Sequence, residues 1–173
     1  MTVLCFVDTE TTGLDARIHQ PYEVCIWRED WEHPNTFALP HDLTHADQQA
    51  LKIGRYFERN AHRAFNGGED TRWLMAHHLL GVTLVGSSPA FDAAMLTRYI
   101  GAPVWHHRMI DVSNVAMVVA NTDRPMGLAE IREWLTNTGY DIPEPAHTAE
   151  GDVRTTRAVY YALRDERAKW VTA

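Results

Sequence analysis

Apolar and polar positions along this chain fall into two rhythms. Residues 3–7, Val-Leu-Cys-Phe-Val, form a short apolar run bounded by polar residues, and residues 22–28 form a second; both predict strands. The connector over residues 11–20 is short and carries Gly13, so the two strands can pair antiparallel. Residues 36–39 predict a third strand, closed by Pro40. From 44 to 65 the chain turns to Ala, Gln, Lys, Arg and Glu with apolar residues at irregular helical spacing. That predicts one or two helices, with Gly54 as the weak point. Asn66-Gly67-Gly68 breaks the run, and Asp70 is placed to cap a helix over 71–80 that Gly81 ends.

Beyond Gly81 strands and helices alternate. Residues 82–86 predict a fourth strand, Ser87-Ser88-Pro89 a turn, 90–99 a helix ending at Gly101, and 104–110 a fifth strand. Helices follow over 112–120 and 127–138, then a Pro-rich loop over 141–145, then a last helix from about 148 to 169. Three strands followed by alternating strands and helices predict an α/β fold. Its core is a five-stranded mixed sheet flanked by helices, in a single domain over residues 1–173.

Composition narrows the function more than the fold. A 45% hydrophobic and 23% charged chain is that of an ordinary globular protein. The formal charge of −7 argues against a protein that grips long nucleic acid through many phosphates, which requires clustered Lys and Arg. It leaves room for an enzyme that holds only a strand end, where bound cations neutralise a few phosphates. No apolar run approaches the roughly 20 residues of a membrane span, and the N-terminal run lacks a positive flank. No membrane partner and a cytoplasmic location are therefore expected. Cys5 and Cys25 lie within apolar runs and read as buried small hydrophobes. The six tryptophans fall mostly in predicted elements and are expected to pack into the core.

The chemistry lies in three acidic strings. In Phe6-Val7-Asp8-Thr9-Glu10-Thr11-Thr12-Gly13-Leu14, two carboxylates stand two residues apart at the end of a strand and so share one side of it. Like charges on one face repel, and a fold accepts them when cations sit between them; hard oxygen donors favour Mg²⁺ or Mn²⁺. Asp92 follows the fourth strand in the first turn of a helix, where the dipole favours a carboxylate. His147 and Asp152 frame the start of the last helix. A histidine there suits a general base at neutral pH.

In order, D-x-E on the first strand, F-D after a later strand and H-x4-D at the last helix resemble the DEDDh 3′–5′ exonucleases, the superfamily of polymerase proofreading subunits and oligoribonucleases. The resemblance runs from Asp8 to Asp152. It implies a ribonuclease-H-like fold and two divalent ions, Mg²⁺ or Mn²⁺, held by Asp8, Glu10, Asp92 and Asp152, with His147 as the general base. It implies that Leu14 packs against the terminal base and that Thr11 helps to hold the 3′ end. The implied reaction removes nucleoside 5′-monophosphates, one at a time, from 3′ ends of DNA or RNA. Single strands are the expected substrate because no basic stripe is present. One departure is Ser87-Ser88, where the family often has His-Asn or a similar pair ending in Asn; an orienting amide is missing, but no metal ligand is.

A polymerase or other replication protein is the partner that the resemblance suggests. The competing reading is a catalytically weak nucleic-acid-binding or polymerase-accessory module on the same fold, which the five filled catalytic positions disfavour. A serine hydrolase is excluded at Gly86-Ser87-Ser88-Pro89-Ala90, which lacks the final glycine of the nucleophile elbow.

Overall fold

The computed structural model describes residues 2–64 and 68–172, without the side chains of residues 69, 171 and 172. Five strands form one mixed sheet: β1 (Leu4–Thr11), β2 (Pro21–Arg28), β3 (Asn35–Ala38), β4 (Thr83–Gly86) and β5 (Ile110–Asp111), in the order β3-β2-β1-β4-β5. β1 pairs antiparallel with β2 and parallel with β4; β2–β3 is antiparallel and β4–β5 parallel. The expected mixed sheet, flanked by helices, is what the chain forms.

Alternation along β1 sends its residues to two cores. Cys5 and Val7 join Met75, Leu79, Ala93 and Leu96 on one face, beneath α2 (Glu69–Leu79) and α3 (Pro89–Ile100). Phe6 joins Ile131, Leu135, Val153 and Leu163 on the other, beneath α4 (Val112–Val119), α5 (Leu128–Asn137) and α6 (Ala149–Thr172). β4 is buried along its whole length, as a central strand covered on both faces must be. A third, smaller cluster of Tyr22, Leu51, Tyr56 and Ala61 anchors the short helix α1 (Gln48–Ile53) and a 3₁₀ turn (Ala61–Arg63) beyond the end of β2. No helix among the described residues is long and apolar enough to cross a membrane.

Four expectations are corrected. The one or two helices predicted over 44–65 shrink to α1 and the 3₁₀ turn at Ala61–Arg63: Asp47 Oδ1 caps α1 by accepting from Gln49 N–H, and α1 ends at Gly54. Residue 65 and Asn66-Gly67 lie outside the described residues. α2 begins at Glu69 with Gly68 as its N-cap, so Asp70 sits in the first turn and not at the cap. The fifth strand is two residues long. Ahead of it, Val104 and His106 make single backbone bonds to Gly81 and Val82, where the chain enters β4, and no ladder forms. The tryptophans reach the core only in part: Trp27, Trp31, Trp105 and Trp134 are half-buried and pack against its two halves, whereas Trp73 and Trp170 are exposed. Cys5 and Cys25 are buried and free, and burial pushes both thiols up to about 12.

Candidate active site

The acidic strings of the sequence meet at the C-terminal end of β1. Asp8 and Glu10 project from the α6 face of that strand, and Asp152 reaches them from the first turn of α6. One carboxylate oxygen from each of the three lies within 4.8 Å of the others. The fourth acid, Asp92, arrives from the opposite face at the start of α3 and is only 3% exposed. Its Oδ1 accepts the hydroxyl of Thr9, at 2.8 Å, from the residue between the two β1 acids. Asp92 thus stands against the cluster, with its carboxyl steered by β1 itself.

Each acid is held by backbone features. α3 can start abruptly because Ser88 adopts a left-handed conformation and Pro89 occupies the first turn, which places Asp92 in that turn. α6 is capped by Thr148, whose hydroxyl accepts Gly151 N–H at 3.0 Å. The loop before it folds back so that Asp152 Oδ1 accepts the N–H groups of Ala146, at 2.8 Å, and His147, at 3.3 Å. Gly151 makes room for this: a Cβ there would stand 2.5 Å from the Ala146 Cβ. His147 itself is exposed, with φ of +50°.

Burial shifts all four carboxyls upward. Burial and the nearby Asp92, Asp152 and Glu10 raise Asp8 well above the usual carboxylate range. Burial pushes Glu10 up to about 7, against the opposing pull of Arg59. Burial also carries Asp92 to about 7 although Thr9 stabilises its ionised form. Asp152 is raised by burial, less the effect of the two backbone donors. An all-oxygen donor set, partly dehydrated and reluctant to ionise unaided, fits hard divalent cations.

Sequence reasoning missed a supporting layer. Glu23, which pairs with Glu10 across β1 and β2, bridges two elements: Oε1 accepts Ala149 N–H at the start of α6, and Oε2 accepts Arg59 Nη1, both at 2.8 Å. Arg59 Nε also donates to Gly54 O at 2.8 Å. Tyr22 Oη donates to Glu10 Oε2 at 3.3 Å, and a Cβ at Gly54 would stand 2.7 Å from that same oxygen. Glu23 carried a signal in its place on the predicted second strand; Gly54 carried one only as a helix break, and Arg59 carried none. The other two expected residues lie just past the strand. Thr11 is buried and its hydroxyl donates inward to Gly13 O at 2.8 Å, whereas Leu14 is 77% exposed.

No family model and no curated protein matches this chain. Solved structures do. A moderately thermophilic exonuclease I from Methylocaldum szegediense superimposes with a TM-score of 0.72 at 17% identity, over 98% of this chain and 42% of that one. The fold is that of exonuclease I. E. coli exonuclease I in complex with a dT13 oligonucleotide gives a TM-score of 0.68 at 14% identity, over 99% and 43% of the two chains. An apo exonuclease I gives 0.66 at 17% identity, over 98% and 43%. The chain therefore spans about two fifths of the length of the exonuclease I structures it matches.

Proposed function

We propose that this protein is a divalent-metal-dependent 3′–5′ exonuclease that releases nucleoside 5′-monophosphates from single-stranded 3′ ends. The observation that carries this reading is the meeting of Asp8, Glu10 and Asp152 within 4.8 Å on the fold of exonuclease I. Those three, with Asp92, would hold Mg²⁺ or Mn²⁺, two ions in all. When bound, the cations neutralise the scissile phosphate and generate the nucleophile from water at neutral pH.

The protein's own groups supply the rest. The His147 imidazole accepts the proton of the attacking water; its backbone is tethered to Asp152, so the ring swings about a fixed point beside the acids. Leu14, exposed on the turn after β1, packs against the terminal base. Thr11 ties that turn to Gly13, and its backbone borders the 3′ end. DNA is the favoured substrate because E. coli exonuclease I, on the same fold, was captured with an oligodeoxynucleotide. A polymerase partner has no support among these neighbours.

The test is a product ladder from 5′-labelled DNA and RNA oligomers with Mg²⁺ or Mn²⁺. Stepwise shortening from the 3′ end, with release of 5′-mononucleotides and complete inhibition by a chelator, is expected. Internal cuts, or activity that survives the chelator, would overturn the reading.

A further inference from the structure

Two adjoining hollows run away from the end of β1. The first, about 270 Å³, begins at Thr12, two residues past Glu10, and is lined by Arg17, Ile18, Gln20, Asp42, His45 and Arg98. The second, about 690 Å³, shares Gln20 and Arg98 with it and continues past Arg72, Trp73 and Tyr99. Arg98 lies six residues beyond Asp92 on α3, about 9 Å farther along the axis. The two hollows thus form one groove that starts at Thr12, just past the end of β1, and crosses α3 to α2.

The lining matches a nucleic-acid strand in two respects. The first is charge: in a chain of net −7, Arg72 and Arg98 are exposed here and form no ion pair among the described residues. Arg98 is braced by donating to Arg17 O at 2.9 Å, and Arg72 lies 5.6 Å over the Tyr99 ring. Of the nearby acids, Asp15 is paired with Arg17, and Asp42, held ionised by Thr44 N–H, leaves one negative charge at the near end of the groove. The second is stacking surface: Trp73 stands 76% exposed at the groove wall, beside an exposed Leu74, while Met75 and Leu79 of the same helix are buried. A large ring left in water beside unpaired guanidinium groups is what a single strand uses, with bases on the ring and phosphates on the arginines.

We propose that this groove is the track for the single-stranded DNA upstream of the 3′ end, with Trp73 as a base-stacking platform and Arg72 and Arg98 as phosphate-binding groups. The inference rests on reading the acidic site as one that takes a strand end. Arg17 and Ile18 border the track where it meets the site.

The test is binding of 5′-fluorescein dT3 and dT12 to the full chain in EDTA, where cleavage is absent. The wild type is expected to bind dT12 much more tightly than dT3. Trp73→Ala should weaken dT12 binding about tenfold, with Trp73→Phe retaining most of the affinity. Arg72→Gln with Arg98→Gln should reduce the salt dependence of dT12 binding, by about 0.7 in slope for each phosphate no longer neutralised. Wild-type affinity and salt slope in all variants would overturn the proposal and leave the surface to a protein partner. So would an equal loss for dT3 and dT12, or a wild type that binds neither. The metal site is judged separately, by cleavage in Asp8→Asn: if that variant cuts normally while the groove variants lose dT12, the nuclease site fails and the track stands.

Discussion

Asp152 holds the backbone of His147: its Oδ1 accepts the His147 N–H at 3.3 Å and the neighbouring Ala146 N–H at 2.8 Å. The histidine is therefore anchored through its main chain, and its imidazole takes no part in the anchor. Truncating the ring should leave the loop and the acidic cluster in place. His147→Ala is expected to lower turnover by about 10²–10⁴ while Mn²⁺ affinity, measured by calorimetry, stays within twofold of wild type. Asp152→Ala should lose both. Equal loss of metal affinity in the two variants would contradict the assignment of His147 as base.

Gly151 lets that loop close. A methyl group there would stand 2.5 Å from the Ala146 Cβ, a short, stiff neighbour that cannot swing aside. Gly151→Ala should push residues 146 and 147 off the helix. It should cost about 1–3 kcal/mol by thermal or denaturant unfolding, and turnover should fall further than stability alone explains. A variant with wild-type melting temperature and rate would refute the packing argument.

The raised carboxyls make the metal-free protein sensitive to alkali. Glu10 and Asp92 titrate at about 7 in the fold, against about 4 in an unfolded chain. Between those values the folded state binds more protons than the unfolded one, so stability falls as pH rises. The contribution is fully present below pH about 4 and is lost once the pH passes about 7. The melting temperature in EDTA should therefore drop from pH 5 to pH 8. Mn²⁺ should restore it at pH 8, and Asp8→Asn, by removing one of the repelling charges, should flatten the decline. The same slope in wild type and Asp8→Asn would count against a shared acidic cluster.

Arg59 and Glu23 form a pair with side chains 19% and 16% exposed, and through it the segment after α1 is tied to the first residue of α6. Removing one partner strands the other charge. Arg59→Leu is expected to destabilise by about 2–4 kcal/mol in chemical denaturation, and Arg59→Leu with Glu23→Leu by less than either single change would suggest by addition. Strict additivity would show that the pair is not coupled.

What the sequence discloses follows from how local each feature is. Asp8 and Glu10 are legible because a strand's period of two fixes their common side whatever surrounds them. The sheet is legible because its strands are short apolar runs set off by turns. Arg59 and Gly54 are not, because their partners Glu23 and Glu10 become neighbours only when α1 folds back over β2. The fifth strand is shorter than the predicted 104–110 because Val104 and Trp105 are apolar for a different reason: they pack as a loop against the α2–α3 core. Membership of a helix does not place a tryptophan in the core either, since Trp73 occupies the outward face of α2.

The central claim is that carboxylates from β1 and α6 converge to capture divalent cations, and Mn²⁺ titration of the wild type beside Asp8→Asn tests it most directly. Saturable Mn²⁺ binding by the wild type, weakened at least tenfold in a folded Asp8→Asn, is the predicted result. Equal Mn²⁺ affinity in the two proteins, or no binding by the wild type, would contradict it.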